Sequence, residues 1–122
     1  MVTTQVTTRK IGASIIRFTD LDETPQDIKT TETNLYGYNI INPNTTAVYV
    51  KFYNLASGDV TVGTSAVFKT LYVPASGTVV IEPHTLPLLN ADVALSVAVT
   101  TGLADSDTTA PTLDLTADFS YG

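Results

Sequence analysis

The chain of 122 residues contains no cysteine and carries a net charge of −6. Its length corresponds to one domain that can bury a core without cross-links, and the absence of cysteine excludes disulfides and thiolate metal sites. The six basic residues are scattered and no apolar run is long enough to span a bilayer, so we expect neither nucleic acid nor a membrane as a partner. Threonine, a β-branched residue that favours strands, occupies 22 positions.

The N-terminal ten residues are predicted to form an arm or an edge strand ahead of a single domain at residues 11–122. The pattern lacks the apolar segment of a signal peptide and shows a period of two, which indicates extended chain. The alternating positions are Val2, Thr4, Val6 and Thr8. A strand is predicted at residues 11–19, an acidic loop at 20–25 and the start of a further strand at 27–33.

The middle of the chain, residues 35–55, contains two strand-like runs around a polar turn at 42–46. Proline and asparagine favour such a turn because proline fixes φ and asparagine bonds its own backbone. The second run alternates strictly, with Val48, Val50 and Phe52 on one face and Tyr49, Lys51 and Tyr53 on the other. This period of two predicts a β-hairpin or a β-arch with one apolar face and one tyrosine-rich face.

Four more strands are predicted in the second half of the chain. They lie at residues 67–73, 78–81, 94–100 and 113–121. Lys69 interrupts the alternation of the first and is expected at its exposed end. The turn from Pro74 to Gly77 has the length and residues of a hairpin turn. Residues 82–92 contain two prolines and predict a crossing loop.

Seven or eight short strands separated by turns predict an all-β fold, an antiparallel two-sheet β-sandwich of the jelly-roll kind. No helical periodicity of useful length competes with this interpretation. The predicted core consists of Val48, Val50, Phe52, Leu71, Val79, Ile81, Leu95, Val97, Leu113, Leu115 and Phe119.

The candidates for chemistry are few. The only histidine, His84, lies in the crossing loop without a nucleophile motif such as G-x-S-x-G. Asp105 and Asp107 resemble the start of a calcium loop, but the pattern is incomplete and a polar turn is favoured. The acidic loop at 20–25 is interpreted in the same way. We therefore expect no enzymatic activity, no cofactor and no metal site.

Tyrosines are the more informative residues. Their rings combine an apolar body with a polar tip, which suits protein interfaces and sugar stacking. The structural alternative is a second buried layer, or cross-strand aromatic pairs that stiffen the sheet. Both interpretations stay open for the set Tyr36, Tyr38, Tyr49 and Tyr53. Sugar stacking is less favoured because the chain has no tryptophan.

Several short motifs follow one another in a fixed order along residues 35–121. They are a G-x-x-x-x-N strand with Gly37 and Asn42, a Y-x-K-x-Y strand from Tyr49 to Tyr53, a V-G-T turn at 62–64, a P-x-x-G turn from Pro74 to Gly77, and a loop ending in D-T-T-A-P at 107–111. In this order and spacing the chain resembles small β-sandwich structural proteins of tailed bacteriophages. Ser106 departs from their pattern, which has threonine before the aspartate.

The resemblance implies a structural role in a virion and transfers no catalytic residue. The expectation is a capsid decoration or cement protein on the capsid surface that stabilises contacts between capsomers. Its expected partners are the major capsid protein and further copies of itself, as a dimer or trimer. The alternative is a tail, neck or fibre component that binds a host surface or carbohydrate. The candidate interface residues are Val2, Thr4, Val6, Tyr36, Tyr38, Tyr49 and Tyr53.

Overall fold

The computed structural model describes residues 14–83 and 85–122. The predicted arm with Val2, Thr4 and Val6, and the histidine His84, lie outside the described residues. The described part folds into nine strands and a single turn of 3₁₀ helix at Ser57–Asp59. The strands are β1 (Ser14–Leu21), β2 (Gln26–Lys29), β3 (Thr33–Ile41), β4 (Val48–Tyr53), β5 (Lys69–Val73), β6 (Thr78–Ile81), β7 (Leu89–Ala91), β8 (Leu95–Thr100) and β9 (Leu115–Tyr121).

The strands form two antiparallel sheets, which confirms the predicted β-sandwich. Sheet A has the order β1-β9-β3-β6, and the short strand β7 pairs with the first part of β3. Sheet B has the order β2-β8-β4-β5. With β7 counted as an addition, this is the strand order of a jelly roll, in which most connections cross from one sheet to the other. Only the connections β4–β5 and β6–β7 stay within a sheet.

The core lies between the two sheets. Of the predicted core residues, seven are fully buried, while Leu71, Val79 and Ile81 are half-buried at its margin. Phe119 of sheet A lies at the centre, with its ring edge-on to Phe52 of sheet B at 5.7 Å between centroids. The buried seven are Val48, Val50, Phe52, Leu95, Val97, Leu115 and Phe119.

The core assignment of Leu113 is wrong, because its side chain is 52% exposed. The alternation that places Leu115 and Phe119 in the core holds only inside β9, which begins at Leu115. Leu113 precedes that strand. Its backbone N–H donates to the Asn44 side chain at 2.7 Å, and its carbonyl accepts from the same side chain at 2.9 Å. These bonds fix the backbone before the strand begins.

The predicted hairpin from Pro74 to Gly77 is also wrong. β5 pairs with β4 in sheet B, and β6 pairs with β3 in sheet A, so this turn is an arch between the sheets. The turn at residues 42–47 is a second arch, from β3 to β4. Hairpins and arches use the same turn residues. Long-range strand pairing decides between them.

Two buried asparagines link the two arches by hydrogen bonds. The Asn42 amide donates to the carbonyls of Thr46 and Pro74 at 3.0 Å each, and to that of Val73 at 3.5 Å. Its oxygen accepts from the backbone N–H and the side chain of Asn44, both at 2.9 Å. Since Asn44 in turn bonds Leu113, one polar network joins both arches to the chain that enters β9. We call this network the asparagine corner.

Candidate interaction surfaces

The outer face of sheet B is covered by a loop at residues 101–110. Lys51 lies beneath this loop with a fully buried side chain. Its ammonium donates to the carbonyl of Ala104 at 2.6 Å and to that of Asp107 at 3.4 Å. Burial lowers the pKa of Lys51, and the nearby charges of Asp107 and Asp105 act in the opposite direction. Lys51 therefore attaches the loop to the sheet and is not an exposed cation.

Asp107 holds the same loop in shape. Its carboxylate accepts hydrogen bonds from the backbone N–H of Gly102 at 2.9 Å, and from the hydroxyl and backbone N–H of Thr109 at 3.0 and 3.2 Å. Burial acts to raise the pKa of this carboxyl, but the bonds from Thr109 and Gly102 and the charge of Lys51 outweigh it, so the pKa lies below its ordinary value. The geometry is that of a polar turn.

The depressed pKa of Asp107 predicts a stability difference that depends on pH. In the unfolded chain an Asp carboxyl has a pKa near 4. Because the pKa of Asp107 is lower in the folded state, its ionised carboxylate stabilises the fold at pH values above about 4. This contribution is lost as the pH falls through the pKa of the folded state. We expect Asp107→Asn to cost about 1–2 kcal/mol at pH 7, with the gap closing toward pH 2. Urea unfolding of both proteins at the two pH values measures it.

The matched control for this prediction is Asp114→Asn, because Asp114 is exposed and accepts no hydrogen bond among the described residues. We expect it to change the free energy of unfolding by less than about 0.5 kcal/mol at either pH. An Asp107→Asn deficit of equal size at pH 7 and pH 2 would contradict the role of the ionised carboxylate.

A second loop, at residues 54–68, contacts the first. Gly63 adopts a φ of +91°, and a Cβ there would lie 2.7 Å from Thr108 Cγ2 and 3.0 Å from the Ser106 carbonyl oxygen. Only glycine combines this backbone conformation with such a close approach. The V-G-T turn and the threonine-rich loop of the sequence are therefore neighbours in the fold.

Tyr53 is fully buried in the monomer, which corrects its assignment to an exposed interface. Its hydroxyl has no hydrogen-bond partner among the described residues. Burial, with a further contribution from the charge of Asp105, raises the pKa of this hydroxyl. Tyr53 and Lys51 both belong to the tyrosine-rich face of β4, so that part of the face is a second buried layer.

Three predicted interface tyrosines keep part of their surface accessible. Tyr36 lies at a bulge in β3, and its hydroxyl accepts a bond from the Asn34 side chain at 3.3 Å. Tyr38 packs against the core margin, where burial raises the pKa of its hydroxyl. Tyr49 pairs across the strands with Tyr72, their ring centroids 5.6 Å apart at 58°.

Tyr72 is 57% exposed and was not among the predicted interface residues. Its position next to Tyr49 depends on the pairing of β4 with β5, which was not assigned from the sequence. The rings are tilted against each other, so they do not present one flat platform for a sugar ring. They form an exposed aromatic edge of sheet B.

The outer face of sheet A carries a groove of about 220 Å³. One wall is Ile15 of β1, which is 69% exposed, and the other is formed by β6 and the residues after it, with Val80 51% exposed. The floor includes Asn39 and Asp118 of the two central strands, which are directly paired. We call this feature the sheet A groove.

Polar groups in the sheet A groove are mainly acceptors. The Asn39 side-chain oxygen is shielded from solvent and accepts no hydrogen bond among the described residues. Asp118 forms an ion pair with Arg17 across the strands at 3.3 Å, and Glu82 adds a second carboxylate to the lining. Such a site suits an occupant that brings hydrogen-bond donors or positive charge together with apolar side chains.

Gly37 allows the chain after β6 to lie close to β3 beside the groove. A Cβ at this position would lie 2.7 Å from the Ile81 carbonyl oxygen and 2.8 Å from the Pro83 nitrogen. The absence of a side chain lets the chain after β6 pass directly over β3. The glycine of the G-x-x-x-x-N motif thus determines the shape of the groove.

The acidic side chains of the described residues do not gather into a metal site. Within residues 14–83 and 85–122, no three His, Cys, Asp or Glu side chains approach each other closely enough to hold a metal ion. In the acidic loop, Asp22 accepts from the backbone N–H of Thr24 at 2.8 Å, and Asp20 accepts from the Gln26 side chain at 3.1 Å. The same part of the chain has no helix long and apolar enough to cross a membrane.

Comparison of the chain with protein-family models, with curated proteins and with solved structures finds no match. Function must therefore be argued from the fold and its exposed surfaces.

Proposed function

We propose that this protein is a non-enzymatic structural component of a virion, a capsid decoration or cement protein that stabilises contacts between capsomers. The observation that carries the proposal is the jelly-roll strand order of the two sheets. Jelly rolls build viral capsid domains, and they also occur in lectins and cupins. The strand order supports the proposal by fold-level analogy, and the exposed surfaces must distinguish among these functions.

The exposed surfaces favour assembly over catalysis. The outer face of sheet A presents Ile15, Ile41 and Val80, each between 41% and 69% exposed, beside the ion pair of Arg17 and Asp118. Exposed apolar residues with a polar rim are typical of protein–protein contact sites. The loops over sheet B are anchored to the scaffold by hydrogen bonds of Lys51 and Asp107. A cement protein requires such a scaffold with contact faces on the outside.

A second candidate function is a tail, neck or fibre module that binds a host surface or carbohydrate. The exposed Tyr72 beside Tyr49 is the observation that favours it. Tyrosine rings at a sheet surface can pack on the apolar face of a sugar. Under this alternative, Tyr72→Ala should abolish adsorption to host cells without affecting particle stability.

Copy number and location on the particle test the proposal. We expect cryo-electron microscopy of the virion to show many copies on the capsid surface, at positions related by the symmetry of the shell. We also expect particles that lack the protein to break at a lower temperature or osmotic stress. A few copies confined to the tail or neck would contradict the decoration role and leave the second candidate.

The N-terminal residues supply a more specific expectation. Deleting residues 1–8 should weaken attachment of the protein to capsids, because an extended arm can add a strand to a neighbour's open edge. The truncated protein should retain its circular dichroism spectrum and melting temperature. Cosedimentation with particles stripped of the protein measures the attachment, and equal binding by the truncated and full chains would contradict the role of the arm.

A further inference from the structure

We infer that the sheet A groove binds residues 1–13 of a second copy of this chain. The inference goes beyond the proposed function, because it concerns the purified protein alone and holds or fails without a particle. It begins with the chemistry of the groove. The walls are apolar at Ile15 and Val80, and the floor and rim offer acceptor oxygens from Asn39, Asp118 and Glu82. An occupant must therefore bring donors and small apolar side chains.

Charge distribution along the chain identifies that occupant. Residues 14–122 contain all twelve acidic residues and four of the six basic ones, so their net charge is −8. One of the four basic residues, Lys51, is buried beneath a loop. Residues 1–13 contain the other two, Arg9 and Lys10, and no acidic residue. The segment is thus the one strongly basic stretch of an acidic protein, and it complements the carboxylates of the groove.

The pattern of the segment fits the groove as well. Val2 and Val6 can cover the apolar walls, and the backbone N–H groups of an extended chain can supply a donor to Asn39. Arg9 and Lys10 can then approach Glu82 at the rim and Asp118 in the floor. The Asp118 carboxylate is already ion-paired to Arg17 at 3.3 Å, so Glu82 is the groove carboxylate that has no ion-pair partner among the described residues.

The length of the segment and its point of attachment allow it to reach a second copy. Residues 1–13 join β1 at Ser14, which pairs with Tyr121 at the end of sheet A next to the Ile15 wall. Thirteen residues reach about 40 Å when extended, at roughly 3.3 Å per residue. An extended segment of this length can reach a neighbouring copy.

Sedimentation velocity of the full chain over the micromolar range tests the inference. We expect self-association that weakens as salt is raised, because the charged part of the contact is screened. Val80→Arg, which blocks the groove, and the double variant Arg9→Glu/Lys10→Glu, which reverses the charge of the segment, should each weaken association by about tenfold or more. Leu103→Arg is the matched control, because Leu103 is 63% exposed in the loop over sheet B.

Mixing the two variants gives the decisive result. The Val80→Arg protein keeps an intact segment, and the double variant keeps an intact groove, so together they should form a heterodimer that neither forms alone. Glu82→Lys serves as a second groove variant if Val80→Arg has a lowered melting temperature. A full chain that stays monomeric, association that both variants leave unchanged, or an equal loss in Leu103→Arg would each overturn the inference.

Discussion

Phe52→Ala is expected to lower the free energy of unfolding by roughly 3–5 kcal/mol, as truncation of a buried phenylalanine does when its surroundings cannot collapse. Phe52 is fully buried, and its ring is edge-on to that of Phe119 on the opposite sheet at 5.7 Å. Phe119 also contacts Phe18 of β1 at 6.0 Å. The substitution therefore leaves a cavity at the point where both sheets meet.

Urea unfolding followed by circular dichroism measures this loss. Phe68→Ala is the matched control, because Phe68 lies just before β5 with 41% of its side chain exposed, and we expect its cost to stay below about 1 kcal/mol. A melting temperature unchanged by Phe52→Ala would show that the residue does not lie in the core.

The sequence predicts the inner faces of the strands well where alternation continues through a whole strand. In β4, Val48, Val50 and Phe52 are all buried between the sheets, as a period of two requires. The prediction fails at strand ends, because periodicity carries no information about where pairing begins. Leu113 continues the alternation of β9 by sequence, yet it precedes the strand and is exposed.

The order of the strands in the two sheets was harder to predict from the sequence than the strands themselves. The turns at 42–47 and 74–77 contain the same proline, asparagine and glycine signals as hairpins, and both are arches between the sheets. The choice depends on which strands lie beside β3 and β5. Those partners are β9, β6 and β7 for β3, and β4 for β5, at separations that local residues do not encode.

The motifs that carry the phage resemblance turn out to contact one another in pairs. Asn42 of the G-x-x-x-x-N motif bonds Pro74 of the P-x-x-G turn, and Lys51 of the Y-x-K-x-Y strand bonds the loop that Asp107 shapes. Gly63 of the V-G-T turn packs on the same loop. These residues hold the crossings and loops of the fold in place.

The candidate surfaces were only partly predictable. Tyr49 was assigned to the exposed face, but its partner Tyr72 emerged only from the pairing of β4 with β5. The sheet A groove was not predicted, because its walls come from β1 and β6, which are three positions apart in the strand order. Burial of Lys51 was missed as well, since a lysine is rarely buried unless its charge is compensated.

Asn42→Ala is expected to lower the free energy of unfolding by about 3 kcal/mol or more, since several buried polar groups lose their partner at once. Asn42 is 1% exposed and its amide bonds the carbonyls of Thr46, Val73 and Pro74. No water can replace these bonds without opening the asparagine corner. Urea unfolding measures the loss, and Asn90→Ala, at an exposed position of β7, is the matched control.

The variant Asn42→Asp distinguishes the contribution of hydrogen bonds to stability from that of packing at the asparagine corner. The carboxylate has nearly the shape of the amide and can still accept from Asn44, but it has no N–H to donate to the carbonyls of Val73 and Pro74. A buried charge facing carbonyl oxygens is more costly than a small cavity. We therefore expect Asn42→Asp to be at least as destabilised as Asn42→Ala at pH 7, and less so at a pH low enough to protonate the carboxyl. An Asn42→Asp protein as stable as the wild type at pH 7 would mean that the amide protons do not hold the two arches together.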